Sequence, residues 1–174
     1  VADTVGEAFH AGNFRAYHTD DIVGAELGGA LKNIIAIACG IADGYGLGLN
    51  ARAGLMTRGL AEITRLATKR GANPLTMLGL AGMGDLVLTC TGSLSRNRTV
   101  GVGLGKGQKL DDILEELGQV AEGVLTTKSA WALAQREGID MPVLEQVYAL
   151  LYEGKNVDQA VKDLFSRDRK AERG

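Results

Sequence analysis

The sequence predicts an all-α domain, preceded by one short helix and one short strand. Two observations carry this. After residue 21, apolar residues recur at helical spacing in nearly every segment. The gaps between those segments hold helix stops and starts, such as Asp43-Gly44-Tyr45-Gly46, Gly71 and Asn73-Pro74. Only Phe14 to His18 reads as a strand, after a helix ending over Thr4 to Ala11.

From Ile22 to Ala42, the apolar positions Leu27, Leu31, Ile34, Ile35, Ala38 and Ile41 form an arc of roughly 120° on a helical wheel. Lys32 lies beyond one edge of it, among the small residues Ala25, Gly28, Ala36 and Cys39. A lysine flanked by small side chains is open to close approach. Asn50 predicts the cap of a helix over Ala51 to Arg70, stopped at Gly71. Asn73-Pro74 starts a short helix by the cap-then-proline rule. Gly79 to Gly84 reads as flexible, and Asp85 to Cys90 as either helix or strand. Further helices are expected at Arg96–Leu104, Leu110–Leu117, Glu122–Glu137, Pro142–Glu153 and Val157–Phe165. Asn156 and Gln159 resemble a capping box for the last.

Composition narrows the function. A net charge of -2 gives no general field for nucleic acid or an anionic membrane. Two cysteines supply no disulfide framework, which points to a reducing, cytoplasmic setting. The two histidines lie near the start without a third ligand type at metal spacing, so no metal site is expected. The longest apolar run, Ile34 to Ile41, is too short to span a bilayer.

Two glycine motifs resemble nucleotide loops and fail. Gly46-Leu47-Gly48-Leu49-Asn50-Ala51 follows a helix instead of a strand, and no acidic residue stands about 20 positions later. Gly101 to Gly107 has the wrong spacing for a phosphate loop, with no Ser or Thr after Lys106. The informative cluster is Ser95-Arg96-Asn97-Arg98, ten residues after Asp85. Arginine suits bidentate capture of phosphate, while serine and asparagine bond hydroxyls. With Lys32 as a proton carrier, these residues suit a small, phosphorylated, hydroxylated ligand. Each also has an ordinary structural reading. Lys32 covers a helix with its stem, Asp85 caps one, Arg96 and Asn97 sit in a solvated run, and Glu122 complements a helix dipole.

Seven motifs occur in order: Gly28-Gly29-Ala30-Leu31-Lys32-Asn33, Gly44-Tyr45-Gly46-Leu47-Gly48, Gly82-Met83-Gly84-Asp85-Leu86, Thr89-Cys90, Ser95-Arg96-Asn97-Arg98, Val120-Ala121-Glu122-Gly123 and Tyr152-Glu153-Gly154. Together they closely resemble the C-terminal domain of bacterial NAD(P)-dependent glycerol-3-phosphate dehydrogenases. The resemblance implies a helical domain of the 6-phosphogluconate-dehydrogenase C-terminal-like type. It implies that residues 1–20 are the tail of an absent N-terminal Rossmann domain, 21–166 the substrate-binding and catalytic domain, and 167–174 a charged, frayed tail.

The implied reaction interconverts dihydroxyacetone phosphate and sn-glycerol 3-phosphate, supplying the glycerol phosphate backbone for phospholipid synthesis. Lys32 and Asp85 are the implied catalytic residues. Lys32, Asp85, Ser95, Arg96 and Asn97 bind substrate, and Arg96, Val120 and Glu122 approach NAD or NADP. The implied partners are the Rossmann domain of the same parent chain and, in a homodimer, a second copy, with no membrane span. The isolated chain is expected to lack turnover. Two other readings fit the composition: the helical domain of another hydroxyacid dehydrogenase, which would need other substrate groups, and a non-enzymatic dimerisation module.

Overall fold

The computed structural model describes residues 1–167 and is helical from residue 22 onward. Helix α1 spans Ala2–Phe9 and buries none of its residues. The long α2, Ile22–Tyr45, is the hub. Its start is capped by Asp21, whose carboxylate accepts from Gly24 N at 2.8 Å. Its end is stopped by Gly46, left-handed at φ 90°. Ile34, Ile35 and Ile37 are fully buried in its middle. Each contributes roughly 1.5–3 kcal/mol by leaving water. By length and composition α2 is apolar enough to cross a bilayer. In this fold that apolarity is spent on the core, because α2 packs against α3, α4, α5, α7 and α8.

Helix α3 spans Gly48–Lys69, starting earlier than Asn50 suggested, with Leu47 at the cap position. Asn73 does start a short 3₁₀ turn, Pro74–Leu78, by accepting from Leu75 N at 2.9 Å. The glycine-rich stretch that reads as flexible is a π-helical turn, Leu80–Gly84. It runs directly into α4, Asp85–Thr91, so the ambiguous segment is helical. Then come α5 (Arg96–Gly105), α6 (Leu110–Leu117), α7 (Glu122–Glu137), α8 (Pro142–Tyr152) and α9 (Val157–Phe165). At α9 only half of the capping box forms. Asn156 accepts from Gln159 N at 2.8 Å, but the Gln159 amide turns to Asp163.

The expected strand over Phe14 to His18 is absent. Only an isolated bridge joins Ala11 and Phe14 around the turn at Gly12. Among the described residues no second strand exists to complete a ladder, so residues 15–19 have no hydrogen-bonding row to join. The charged tail lies outside the described residues except for Arg167, which pairs with Asp140 at 2.7 Å.

One packing feature governs the rest. Helices α2 and α5 touch backbone to backbone. A Cβ on Gly101 would stand 2.1 Å from the Ile37 carbonyl, and one on Gly105 2.3 Å from that of Ile41. From the other side, a Cβ on Gly40 would meet the Arg98 carbonyl at 2.2 Å, and one on Gly44 that of Val102 at 2.3 Å. Gly40 and Gly44, like Gly101 and Gly105, are four apart and share one helix face. Only glycine permits this approach.

Candidate active site

Lys32, on α2, forms an ion pair with Asp85, the first residue of α4. Both are half-buried. Asp85 is not the cap of its helix, because the π turn delivers Gly84 to that position in helical conformation. Its side chain is therefore free to meet Lys32. Thr89, one turn on, donates to the Asp85 carbonyl at 2.6 Å.

Beside this pair runs a relay of amides. Asn97, 8% exposed, donates from Nδ2 to Asn33 Oδ1 at 2.9 Å. Its own Oδ1 accepts from Gly123 N at 2.8 Å. Asn33 is bonded back to the Gly29 carbonyl of α2. Gly123 has no room for a side chain, since a Cβ would be 2.8 Å from Asn97 Oδ1 and 2.9 Å from the Asn33 carbonyl. The first turns of α5 and α7 are thus pinned to the turn of α2 that carries Lys32.

Each member of the relay has a sequence-predicted site residue as its neighbour: Lys32 before Asn33, Arg96 before Asn97, Glu122 before Gly123. Arg96 is exposed, and its side chain makes no hydrogen bond or ion pair among the described residues. Ser95 caps α5, accepting from Arg98 N at 3.3 Å, which leaves its O–H free to donate. Glu122 and Val120 are exposed at the start of α7. Two helix N-termini, each with a positive dipole end, therefore meet at Asn33, the residue that follows Lys32 on α2, a setting that favours an anion.

Asn33 and Gly123 carry part of this geometry without having been singled out as site residues. The signal was there: both stand inside the motifs that hold Lys32 and Glu122. A second unpredicted group is Asp43, which holds Arg98 and Arg52 together at the end of α2. A third is Glu62, a carboxylate on the apolar face of α3 among Gly59, Ile63 and Leu66. Cys39 and Cys90 are both buried, and the Cys90 thiol is pushed far up by its hydrogen bond with Cys39 and by burial, so neither is a ready nucleophile.

Three His, Cys, Asp or Glu side chains placed to hold a metal do not occur among the described residues. A cavity of about 660 Å³ lies between α2, α3, α8 and α9, and shares no residue with the Lys32–Asp85 pair.

These features define an all-helical domain with an ion-paired lysine at its centre and no nucleotide-binding fold among the described residues. The chain belongs to the family described as NAD-dependent glycerol-3-phosphate dehydrogenase C-terminus, whose model matches residues 21–162. It is 61% identical over 174 residues to the glycerol-3-phosphate dehydrogenase (NAD(P)+) of Geobacter metallireducens, covering 100% of this chain and 52% of that protein. With the Myxococcus xanthus protein of the same name it shares 58% identity over 172 residues, covering 99% of this chain and 51% of the relative. The crystal structure of glycerol-3-phosphate dehydrogenase from Coxiella burnetii superposes with a TM-score of 0.90 at 47% identity, over 95% of this chain and 51% of that one. The Saccharomyces cerevisiae enzyme superposes at 0.86 with 29% identity, over 95% and 48%. The chain spans about half the length of the curated relatives it matches.

Proposed function

We propose that this chain is the substrate-binding and catalytic half of an enzyme that interconverts dihydroxyacetone phosphate and sn-glycerol 3-phosphate with NAD(P)H. The observation that carries this reading is the convergence of the α5 and α7 N-termini on the lysine-bearing turn of α2. An anionic group and a proton carrier are thereby served at one site.

The roles follow from the chemistry of each group. Reduction of a ketone leaves charge on the C2 oxygen, and the Lys32 ammonium stabilises that charge and supplies the proton. Asp85 aims the ammonium through their ion pair. Arg96, with its guanidinium fork unengaged, grips the phosphate, aided by the Ser95 hydroxyl. Asn97 spends its amide oxygen and one amide hydrogen on the relay, which leaves one hydrogen for a substrate hydroxyl.

Bound NAD(P)H supplies the hydride. This chain offers that cofactor only one wall, from Arg96, Val120 and Glu122; the dinucleotide fold belongs to an N-terminal Rossmann domain of the parent chain. On this reading residues 1–20 lead from that domain and 21–166 form the helical one. The assembly is a cytoplasmic enzyme without membrane span or nucleic-acid partner, and the helical half alone does not turn over.

The test is Lys32→Ala in the full-length parent. Turnover in dihydroxyacetone phosphate reduction is expected to fall at least about 10²-fold, the low end for lost acid–base catalysis. Near-normal turnover would remove Lys32 from the mechanism.

A further inference from the structure

The last turns of α2 carry an acidic residue, Asp43, that the proposed reaction leaves without a role. Asp43 is half-buried and faces two cations. Its Oδ2 accepts from Arg98 Nη2 at 2.6 Å and Nε at 3.1 Å, and from Arg52 Nη1 at 3.0 Å. Arg98 is held at three points. Its carbonyl lies on Gly40 in the glycine seam, its backbone N–H bonds the Ser95 hydroxyl, and its side chain returns to Asp43. These contacts clamp the first turn of α5 onto α2. That turn carries Arg96 and Asn97.

We propose that Asp43 is a positioning residue: acting through Arg98, it fixes the start of α5 and so sets where the Arg96 guanidinium stands relative to Lys32. The carboxylate does two things there. It engages Arg98 through two nitrogens, which orients the side chain as well as neutralising it. It also bridges Arg98 and Arg52 through one oxygen, two guanidiniums that are themselves mostly shielded from solvent. Removing the negative charge leaves two neighbouring cations without a counter-ion, and Arg98 leaves its place. Arg96 then loses one of the contacts that fix its base, while Lys32 and Asp85, held by α2 and α4, stay where they are. The defect falls on phosphate recognition rather than on proton transfer.

This inference rests on the reading of Arg96 as the phosphate ligand. The experiment is steady-state kinetics of the full-length parent carrying Asp43→Asn, Asp43→Glu, Arg98→Gln, and the double change Asp43→Asn/Arg98→Gln. Asp43→Asn is expected to raise KM for dihydroxyacetone phosphate about tenfold, the scale of one charge-assisted hydrogen bond, with kcat and KM for NADH changed less than about threefold. Asp43→Glu recovers most of the loss, because it restores the charge. The double change is no worse than Arg98→Gln alone, because Asp43 acts through Arg98. Additive losses in the double variant, or a parallel fall in kcat, would overturn the proposal. Should Asp43→Asn not fold, Arg98→Lys decides the matter: it keeps the cation but loses the fork, and must show the same KM-only signature. An inert Arg96→Lys would bring down the phosphate assignment and this inference with it. An effective Arg96→Lys beside an inert Asp43→Asn brings down this inference alone.

Discussion

Glu62 makes the stability of this domain depend on pH in an unusual direction. It lies on α3 at 2% exposure and caps a different helix. Its Oε1 accepts from Val143 N at 2.8 Å and its Oε2 from Leu144 N at 3.3 Å, in the first turn of α8. That helix has no cap of its own, since Met141 at the cap position makes no side-chain hydrogen bond. Burial pushes the Glu62 carboxyl up from 4.5 to about 7, although the two N–H bonds and Arg65 pull the other way. Between those values the folded chain keeps a proton that the unfolded chain has released. Stability therefore falls as pH rises through this window, and the contribution is lost above about 7. At about 1.4 kcal/mol for each pH unit, the rise amounts to about 3 kcal/mol. Asp21 and Asp163 are held below 3.8 by their hydrogen bonds, to Thr76 and Lys155 first, so their contributions stay constant in this window. The assay is urea unfolding of the wild-type chain and Glu62→Gln across the window. The stability of the wild type relative to the variant should fall by about 3 kcal/mol from the acid to the neutral end. A difference that stays flat with pH would refute the reasoning.

The remaining predictions concern packing and recognition. Gly101→Ala pushes a Cβ into the Ile37 carbonyl, and α2 and α5 must part; a loss of at least about 2 kcal/mol is expected in thermal or urea unfolding, and an unchanged midpoint would show that the seam yields freely. Arg96→Lys keeps the charge but loses the fork. Binding of the phosphorylated substrate should weaken by roughly 1–3 kcal/mol, read as KM, while unphosphorylated dihydroxyacetone is little affected. An equal loss for both substrates would show that Arg96 does not read phosphate.

Most helices were legible in the sequence because their apolar periodicity and end signals agree with one another. From Leu110 onward the expected boundaries match the structure, except that α8 stops at Tyr152, one residue short. The errors came where local signals depend on distant partners. Phe14 to His18 has strand-like composition, but a strand needs a neighbour, and none is supplied among the described residues. Gly79 to Gly84 reads as loose because glycine usually is. Here Gly82 is tight: its Cβ would be 2.2 Å from the Met77 carbonyl, so the turn is ordered by close packing. At the candidate site, residue types suggested Lys32, Asp85 and Arg96. They gave no hint that Asn97 and Gly123 would meet, because that contact joins elements 26 residues apart.

The glycine seam also limits how this site can change. The spacing between α2 and α5 is set by peptide groups in direct contact, with no side chains between them to hop between rotamers or to be trimmed by a methylene. Substitution therefore has little purchase on the gap. Ordinary core interfaces offer graded adjustment through Val, Ile and Leu, whereas this one offers glycine or a break. The separation between the α2 and α5 backbones behaves as a ruler of fixed length. A descendant of this domain that takes a longer or shorter ligand would have to rebuild the ends of the helices and leave the seam alone.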